Sequence, residues 1–426
     1  MKKAIVISFY YARIIIILFL IIITLSNASA DAIRVGSRQQ IKSITKAIET
    51  AKSGDTIFVS EGIYREGNII IEKSITMIGE KNPILDGENK YEILTLHGKN
   101  ITISGFKFIN TGIASIKDIA AIKILESSRI NILHNIFSNA FFGIYFASSS
   151  DCIIENNILE ADVNAEHQIG NGIHLWKCTR MSIRKNKIKG QRDGIYFEFV
   201  TDSEIIENYS EGNLRYGLHF MFSNDDIYQY NTFINNGAGV AVMYTKGVTM
   251  FNNIFQHNWG SSAYGLLLKD IRDSKIQNNK FIENSVGVFM EGSSRNEIHE
   301  NEFSKNGYAI RLQASCDDNK IERNNFRQNT FDLVTNGNIV LNKIDANYWD
   351  KYEGYDLNKD KVGDVPYRPI SLYGTVVERM PTAILLWRSF FVFLLDRAEK
   401  AVPVITPENL IDNTPAMLPH DFDKKY

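Results

Sequence analysis

The chain has 426 residues, of which 44% are hydrophobic and 23% are charged, and its formal net charge at pH 7 is −2. This balance is typical of a globular protein with ample apolar material for a core. It argues against nucleic acid as a partner, because the basic stripe that marks nucleic-acid-binding proteins is missing.

The first thirty residues indicate export. Two lysines near the start precede an aliphatic run, and an Ala-Ser-Ala triplet ends at Ala30. A positive start, an apolar stretch and small residues before the cut are typical of a secretory signal peptide. We therefore predict that residues 1–30 are removed and that the mature chain works in the periplasm or outside the cell. The alternative is an uncleaved membrane anchor, since the apolar stretch is long enough if Arg13 reaches the interface.

The mature chain begins with a predicted helical cap. In residues 39–52 one helical face is apolar, and that face carries Ile41, Ile44, Ala47, Ile48 and Ala51. Short strand-and-turn segments follow at 54–59, 62–67, 75–80 and 83–87. Because an apolar stripe with helical spacing packs on a core, we expect this helix to close one end of the structure that the strands build.

A short apolar segment opened by glycine recurs through the middle of the chain at intervals of 22 to 29 residues. The glycines are Gly143, Gly172, Gly194, Gly217, Gly239, Gly265 and Gly287. A unit of about 22 residues with short strands and no helix is one coil of a parallel β-helix, which buries its apolar edge on the next coil. A leucine-rich repeat is disfavoured because its LxxLxL spacing is missing. We predict an all-β fold, a right-handed parallel β-helix over residues 31–345, with the repeat fading after Leu341.

An asparagine accompanies each coil in phase with the glycines. The series is Asn135, Asn157, Asn186, Asn208, Asn231, Asn253, Asn279, Asn301 and Asn324. Stacked at one position of a solenoid, each side-chain amide donates to one neighbour and accepts from the other. The series therefore predicts a buried asparagine ladder along the molecule.

The strand GLHFMF places a histidine and a methionine two residues apart. Such residues face the same side of a strand, so His219 and Met221 are expected to point together, away from the core. When the coils are aligned, Met243 and Glu198 lie on the same face next to His219 and Met221. His174 and Trp176 lie on this face two coils away. Imidazole and thioether are soft-to-borderline donors, and soft ligands favour Cu(I). The candidate copper ligands are His219, Met221, Met243, Glu198 and His174; the alternative is a plain surface row that covers a partner.

Three cysteines remain in the mature chain, Cys152, Cys178 and Cys316. An odd number without a CxxC pair does not suit a disulfide framework. We interpret them as small buried fillers with inert thiols, and a redox or metal role is the minor alternative.

The rival class of function is a secreted β-helix enzyme that acts on polysaccharides. A hydrolase needs paired carboxylates on either side of a bound sugar. The pairs Asp225-Asp226 and Asp317-Asp318 lie at corners, where acidic residues commonly form turns. His299 lies at an exposed corner with no partner set. We therefore predict no catalytic residue.

Residues 346–426 are expected to form a separate C-terminal part, which begins with a calcium-loop pattern. Positions 1, 3, 5 and 9 of such a loop are filled by Asp356, Asn358, Asp360 and Asp364. Lys361 stands where the loop usually has glycine, and Tyr367 stands where it has glutamate. The match is therefore partial, and the alternative to a bound Ca²⁺ is a solvated turn.

The second C-terminal feature is the segment 381–401, which prolines at both ends frame as an apolar helix. Its apolar run is too short to span a bilayer and contains Arg388. The helix must bury its side chains against the flank of the β-helix, a membrane protein or a membrane surface. The side chains expected to dock are Ile384, Leu385, Trp387, Phe390, Phe391 and Leu394. The tail that follows is rich in proline and polar residues and is expected to be extended.

Taken together, these segments resemble NosD, a family of periplasmic β-helix proteins that serve the maturation of nitrous oxide reductase. The likeness runs from GDTIFVSEGIYREGNIIIEKSITMIGE through RYGLHFMFSNDD, VAVMYTKGVTMFNN and SSAYGLLLKD to NYWDKYEGYD and LYGTVVERMPTAILLWRSFFVFLLDRAEKAVPVITPENL. It covers nearly the whole mature chain. The repeat alone is unspecific, since sugar enzymes share it, whereas GLHFMF, AYGLLLKD and the C-terminal segments together are specific.

The resemblance implies a non-enzymatic protein that carries copper or assembles copper centres. The partners it implies are an ABC-type membrane subunit with its ATPase, a copper chaperone and nitrous oxide reductase. ATP hydrolysis would belong to the partner, because this chain has no GxxxxGK[ST] loop. Segment 381–401 then becomes the expected dock at the inner membrane. The histidine–methionine row would hold Cu(I) transiently; the alternative is a copper-free scaffold that contacts a copper-delivering partner through Tyr145, Trp176 and Tyr196.

Overall fold

A computed structural model of the chain describes residues 31–114, 117–162, 166–313, 315–337, 341–401 and 410–422. The predicted signal peptide, residues 1–30, lies outside the described residues. Three α-helices are present in the described part: α1 (Ile44–Thr50), α2 (Leu372–Arg379) and α3 (Phe390–Ala401). Two 3₁₀ segments span Glu166–Gln168 and Pro381–Leu386. None of these described helices has both the length and the apolar character needed to cross a membrane.

Three parallel β-sheets run along the molecule, and each complete coil contributes one strand to each sheet, while the coils at the ends contribute fewer. Sheet 1 has 12 strands: Ile69–Ile71, Leu94–Leu96, Ala120–Leu125, Phe142–Ala147, Ile173–Trp176, Asp193–Glu198, Tyr216–Met221, Ala238–Met243, Leu266–Lys269, Val286–Glu291, Tyr308–Leu312 and Phe331–Thr335. Sheet 2 has 14: Ala32–Val35, Thr56–Val59, Thr76–Gly79, Lys99–Ser104, Ser128–Leu133, Ile153–Glu155, Ser182–Arg184, Glu204–Ile206, Ile227–Gln229, Thr249–Phe251, Lys275–Gln277, Glu297–His299, Lys320–Glu322 and Lys343–Asp345. Sheet 3 has 13: Ile63–Tyr64, Ile84–Asp86, Lys107–Ile109, Ile136–Ser138, Ile158–Glu160, Lys187–Lys189, Tyr209–Glu211, Thr232–Ile234, Ile254–Gln256, Lys280–Ile282, Glu302–Ser304, Asn325–Arg327 and Tyr348–Trp349. The predicted parallel β-solenoid is thus confirmed.

The core consists of like side chains stacked coil upon coil. In sheet 3, the buried rings form the column Phe233, Phe255, Phe281, Phe303, Phe326 and Trp349. Their centroids lie 4.1–5.5 Å apart, close to the spacing of about 4.8 Å between neighbouring strands. Repetition of aromatic residues at one position therefore builds a continuous stack of rings through the interior.

The predicted asparagine ladder is confirmed. From Asn135 onward, each side-chain amide donates to the carbonyl oxygen of the next asparagine at 2.9–3.2 Å, and the ladder ends at Asn347. A second ladder, which the sequence did not reveal, is formed by Asn213, Asn236, Asn258, Asn284, Asn306 and Asn329. In it, each backbone N–H donates to the next side-chain oxygen at 2.9–3.1 Å. Both ladders keep the polar groups of the corners satisfied inside the solenoid.

The N-terminal end is closed as predicted. Helix α1 is shorter than the predicted segment, and it buries Ile44, Ala47 and Ile48. The Ser43 side chain accepts a hydrogen bond from the Lys46 backbone N–H and begins the helix. The apolar stripe thus serves as a lid on the first coils.

The C-terminal part departs from the prediction of one helix over 381–401. The chain forms the 3₁₀ segment Pro381–Leu386 and then α3, separated by a turn in which Arg388 has φ of 64°. A left-handed residue cannot continue an α-helix, so the segment breaks there. Beyond the α3 region, residues 410–422 return to the solenoid: Asp412 bridges Ile344, and Ala416 bridges Tyr348. The tail, expected to be extended, therefore adds short pairings to the last coil.

Candidate functional site

Three neighbouring strands of sheet 1 bring the predicted copper ligands together. In the observed register Tyr196 pairs with His219, and Glu198 pairs with Met221. Met221 in turn pairs with Met243. Glu198, Met221 and Met243, here called the Met row, therefore stand on adjacent strands at a spacing of about 4.8 Å, with His219 two residues before Met221 on the same face.

His219 is not exposed as the sequence led us to expect; only 5% of its surface is accessible. The reason is the pair of tyrosine rings against it, Tyr196 edge-on at a centroid distance of 5.0 Å and Tyr216 at 4.6 Å. Neither ring nitrogen of His219 has a hydrogen-bond partner. The nearest carboxylate oxygen, on the buried Asp193, lies 3.8 Å from Nδ1. A buried imidazole with two unused nitrogens retains its full capacity to bind a metal.

The hydroxyl of Tyr196 connects His219 to the Met row. It lies 3.6 Å from the Met221 sulfur and 3.4 Å from Oε2 of Glu198. Burial, together with the Glu198 carboxylate, raises the pKa of Tyr196 to about 12, so the hydroxyl keeps its proton and can donate it. Thioether, carboxylate and imidazole thus converge around one phenol.

His174 stands apart from this group. It lies two strands away from His219 and is stacked between the rings of Tyr145 and Tyr196, at 4.8 and 4.7 Å. Its Nδ1 is 3.0 Å from the side-chain amide nitrogen of Asn171. Burial, helped by the nearby Arg192 guanidinium, lowers the pKa of His174 to about 3, so the ring stays neutral. The structure therefore places His174 as a packed neighbour of the site, not beside the Met row.

An exposed aromatic stack, which the sequence analysis missed, borders the Met row. Phe199, Phe222 and Tyr244 each directly follow a member of the row, are 43%, 38% and 43% exposed, and stack with centroids 5.2 and 5.1 Å apart. Their φ angles are 54°, 50° and 55°. Bulky side chains are uncommon in this left-handed region and cost conformational energy. The signal in the sequence was the aromatic that recurs after the outward residue in FEF, FMF and VMY.

The described part of the chain contains no cluster of the residue types that most often bind metal ions. Among residues 31–422, with the gaps given above, no group of three His, Cys, Asp or Glu could hold a metal ion. The three cysteines are buried, and burial raises the pKa of Cys152 and Cys316 to about 11 and of Cys178 to about 12. This agrees with inert fillers, because a thiol must ionise to bind metal well. A copper site in this chain thus depends on thioether sulfur and imidazole.

In the predicted calcium loop, the carboxylates are occupied by the loop's own backbone. Asp356 accepts from the N–H groups of Lys359, Asp360 and Lys361 at 2.6–3.2 Å. Asp364 accepts from Leu357, and Asp360 from Val362 and from the amide of Asn358. Such a turn is self-contained, and Ca²⁺ binding by Asp356, Asn358, Asp360 and Asp364 stays a prediction.

The predicted docking residues form an uncovered apolar surface. Leu385 is 86% and Phe390 is 74% exposed, and the remaining members, Ile384, Trp387, Phe391 and Leu394, are exposed as well. The Trp387 ring rests on Tyr373 at 5.8 Å, while the Ala383 carbonyl accepts from the Tyr373 hydroxyl. The segment is thus anchored on α2 but leaves these apolar side chains exposed, and docking through them stays a prediction.

A family model described as "Periplasmic copper-binding protein (NosD)" matches residues 48–169 and 160–359. Two curated relatives share the name "Probable ABC transporter binding protein NosD". The protein from Pseudomonas aeruginosa is 28% identical over 82% of this chain and 86% of its own length. The protein from Stutzerimonas stutzeri is 26% identical over 83% of this chain and 84% of its own length.

Solved structures with a similar fold are far more distant in sequence. PfbA, a surface adhesin of Streptococcus pneumoniae, is 12% identical with a TM-score of 0.54, over 77% of this chain and 94% of that chain. A family 28 exopolygalacturonase of Yersinia enterocolitica is 11% identical with a TM-score of 0.54, over 74% and 78%. At this identity the likeness shows the β-helical fold alone, which adhesins and sugar enzymes share.

Proposed function

Because the chain belongs to the NosD family of periplasmic copper-binding proteins, we propose that it receives Cu(I) from a chaperone and helps to load the copper centres of nitrous oxide reductase. In this proposal it works in the periplasm, exported by a cleaved signal peptide, while docked on an ABC-type complex of the inner membrane. The observation that carries the proposal is the buried His219, whose two nitrogens have no partner, next to two thioethers in register.

The proposed copper site uses His219, Met221 and Met243. Copper is the cargo here, and soft sulfur with imidazole suits Cu(I) rather than a hard cation. Two or three ligands on the side of a sheet hold an ion less firmly than a closed cage, which suits transfer to a second protein. Glu198, next to Met221 on the preceding strand, supplies a charge that attracts the incoming cation. No step requires catalysis by this chain, so we propose a carrier rather than an enzyme.

A copper-free scaffold for the same assembly is the second candidate function. The exposed stack of Phe199, Phe222 and Tyr244 favours it, because surface aromatics flanked by methionine are typical of protein interfaces. In that case the Met row contacts the copper-delivering partner, and this chain does not bind the copper ion itself.

Copper titration separates the two candidates. We expect residues 31–426 to bind about one equivalent of Cu(I) against a chromogenic chelator under anaerobic conditions, since one donor set is present. His219→Ala and the double variant Met221→Leu/Met243→Leu should each weaken binding by at least about a hundredfold, because each removes soft ligands. Leucine keeps the apolar contact area, so loss of binding reports on sulfur.

Met290→Leu is the matched control, because this methionine is fully buried in the core of sheet 1 and away from the site. It should bind copper like the parent. If the parent never competes for Cu(I), or the ligand variants equal it, the carrier proposal is wrong and the scaffold stands.

We further propose that residues 31–345 form the cargo-bearing β-helix and residues 346–426 the part that attaches to the membrane complex. The uncovered side chains of the segment 381–401 support this division, and a Ca²⁺ bound by the loop at Asp356 would stiffen the connection between them. Strand Tyr348–Trp349 still belongs to sheet 3, so the two parts join without a flexible linker.

Docking can be tested with a charge in the apolar surface. Leu385→Asp and Phe390→Asp are each expected to lower co-purification with the ABC-type membrane subunit by about tenfold or more, because an unpaired carboxylate would be buried in the interface. The measurement is recovery of the tagged subunit from detergent extract. Trp259→Asp is the control, since this ring is 58% exposed in a different region. Equal recovery for all three variants would contradict the assignment of this surface.

A further inference from the structure

Tyr196, on the strand next to His219 and Met221, contacts two of the proposed copper ligands. Its ring meets the His219 ring edge-on at 5.0 Å, and its hydroxyl lies 3.6 Å from the Met221 sulfur. We infer that Tyr196 is a lid over the copper site, which must swing away from His219 and Met221 before Cu(I) binds. This inference rests on the proposed function, and it adds a control element to that site.

Access to His219 requires such a movement. Both ring nitrogens are buried, and the walls are the rings of Tyr196 and Tyr216. Tyr216 is held on its own strand, where its backbone N–H donates to buried Asp193 and the Arg215 guanidinium lies 5.2 Å from its ring. Tyr196 and Tyr216 are both half-buried, but the hydroxyl of Tyr196 also contacts the Met221 sulfur. Movement of Tyr196 is therefore the change that would uncover both His219 and Met221.

The hydroxyl of Tyr196 has one proton and two acceptors. It reaches the Met221 sulfur at 3.6 Å and the Glu198 oxygen at 3.4 Å. While it donates to sulfur, it occupies one of the two sulfur lone pairs and hinders the approach of copper. When copper binds the sulfur, the Tyr196 hydroxyl keeps its proton and can donate the hydrogen bond to the Glu198 carboxylate instead. The hydroxyl therefore has an acceptor in both the closed and the open arrangement. The lid therefore opens at a small cost and closes again after the ion has left.

Tyr145 provides a matched control in the same column. It stacks on the opposite face of His174, and burial with the Asp118 carboxylate raises its pKa to about 12, as in Tyr196. Among the described residues no ring contact joins it to His219 and no hydrogen bond joins it to the Met row, although the Glu198 carboxylate also contributes to its raised pKa. Tyr196→Phe and Tyr145→Phe each remove a hydroxyl group from equivalent positions of sheet 1. Only in Tyr196→Phe is the lost hydroxyl one that contacts a proposed copper ligand, Met221.

The rate at which the Met221 sulfur is oxidised reports how well Tyr196 covers it, and this measurement needs no copper. In dilute hydrogen peroxide, Met221 of the parent should form sulfoxide more slowly than Met243, for which no hydroxyl contact occurs among the described residues. Tyr196→Phe should speed oxidation of Met221 by roughly threefold to tenfold, the factor that corresponds to loss of one hydrogen bond. Met243 in both variants, and Met221 in Tyr145→Phe, should keep the parent rate. Peptide mass spectrometry gives all of these rates from one sample.

Copper binding then measures the consequence. Tyr196→Phe should bind Cu(I) several-fold more tightly and take it from the chelator faster, because the sulfur is already free, whereas Tyr145→Phe should match the parent. If Tyr196→Phe equals the parent in oxidation or in copper uptake, the lid is wrong while the carrier role stands. If the parent binds no Cu(I) at all, the carrier proposal and its lid both fall.

Discussion

Replacing Asp412 with alanine is expected to cost about 3–5 kcal/mol of unfolding free energy in the last coil and to expose Trp349 to water. The carboxylate is fully buried and accepts five hydrogen bonds. The donors are the backbone N–H groups of Ala346, Asn347 and Thr414, the side-chain amide of Asn347 and the indole N–H of Trp349. Alanine would leave four of these donors without their acceptor, while the Asn347 amide keeps the carbonyls of Ile321 and Asp345. An unsatisfied buried donor costs more than a made bond contributes.

The position of Asp412 explains why the effect should spread. Asn347 is the last member of the first asparagine ladder, and Asp412 accepts from it as a further asparagine would. Trp349 ends the aromatic column, stacked on Phe326 at 4.1 Å. The tail residue thus terminates a polar and an apolar stack together. Its loss should fray sheet 2 and sheet 3 from this end, while coils near the N-terminus keep their protection, because a solenoid contacts only its neighbours.

Hydrogen exchange and Trp349 fluorescence provide the measurement. We expect faster exchange in strands Lys343–Asp345 and Tyr348–Trp349 and a red-shifted emission in Asp412→Ala. The control is Asp317→Ala, which removes an exposed corner carboxylate one coil earlier. If hydrogen exchange in Asp412→Ala equals that of the parent, the tail does not stabilise the last coil of the solenoid.

Replacing Asp226 with asparagine is expected to stabilise the protein above neutral pH. Asp226 is fully buried, one of its oxygens has no partner, and burial raises its pKa to about 8 from the ordinary 3.8. The folded chain therefore holds a proton that the unfolded chain releases. The contribution of Asp226 to stability is complete below about pH 4 and is lost as the pH rises through about 8, by roughly 3–5 kcal/mol in all.

Asparagine fits this position because later coils already use it. Asp226 accepts from the Ser203 backbone N–H at 2.8 Å, and at the equivalent positions Asn296 accepts from Ser274 and Asn319 from Asn296. Their amides donate to backbone carbonyls, as Asn319 does to Ser293 at 2.9 Å. Asparagine at 226 would keep the accepted bond and lose the titratable proton.

Urea denaturation at several pH values tests this. Asp226→Asn should equal the parent near pH 4 and exceed it by about 2–4 kcal/mol near pH 8, so its pH profile is flatter. Asp225→Asn, at the exposed neighbour, should follow the parent at every pH. A parent whose stability does not fall between pH 5 and pH 8 would contradict a protonated Asp226.

The sequence predicts the stacked features of this molecule well. The alignment that paired Tyr196 with His219 and Met221 with Met243 is the observed register, because a one-residue slip would turn the apolar set outward. The asparagine ladder was predictable for the same reason, since a polar residue repeated in phase has one neighbour to satisfy on each side.

What the sequence did not predict depends on contacts between different rows or distant segments. The burial of His219 arises from the rings of Tyr196 and Tyr216. Tyr216 lies three residues earlier, a spacing that strand alternation assigns to the opposite face. Asp412 joins the ladder across 65 residues and looks like any acidic residue of a polar tail. The stack at Phe222 needs a left-handed backbone, which sequence patterns associate with glycine and asparagine rather than phenylalanine.

The asparagine ladder also gives the solenoid an electrical direction. Each side-chain amide from Asn135 to Asn324 donates to the next asparagine and also to a backbone carbonyl of an earlier coil. The side-chain oxygens accept from the preceding asparagine, so the amide dipoles share one direction along the ladder. The positive end of the ladder meets the buried carboxylate of Asp412, and the last amide of the second ladder, Asn329, meets Asp332. A carboxyl group therefore accepts a hydrogen bond from the last amide of each row. A coil inserted or deleted between the two ends would leave these terminal hydrogen bonds intact. The number of coils can therefore change while Asp412 and Asp332 still end the two ladders.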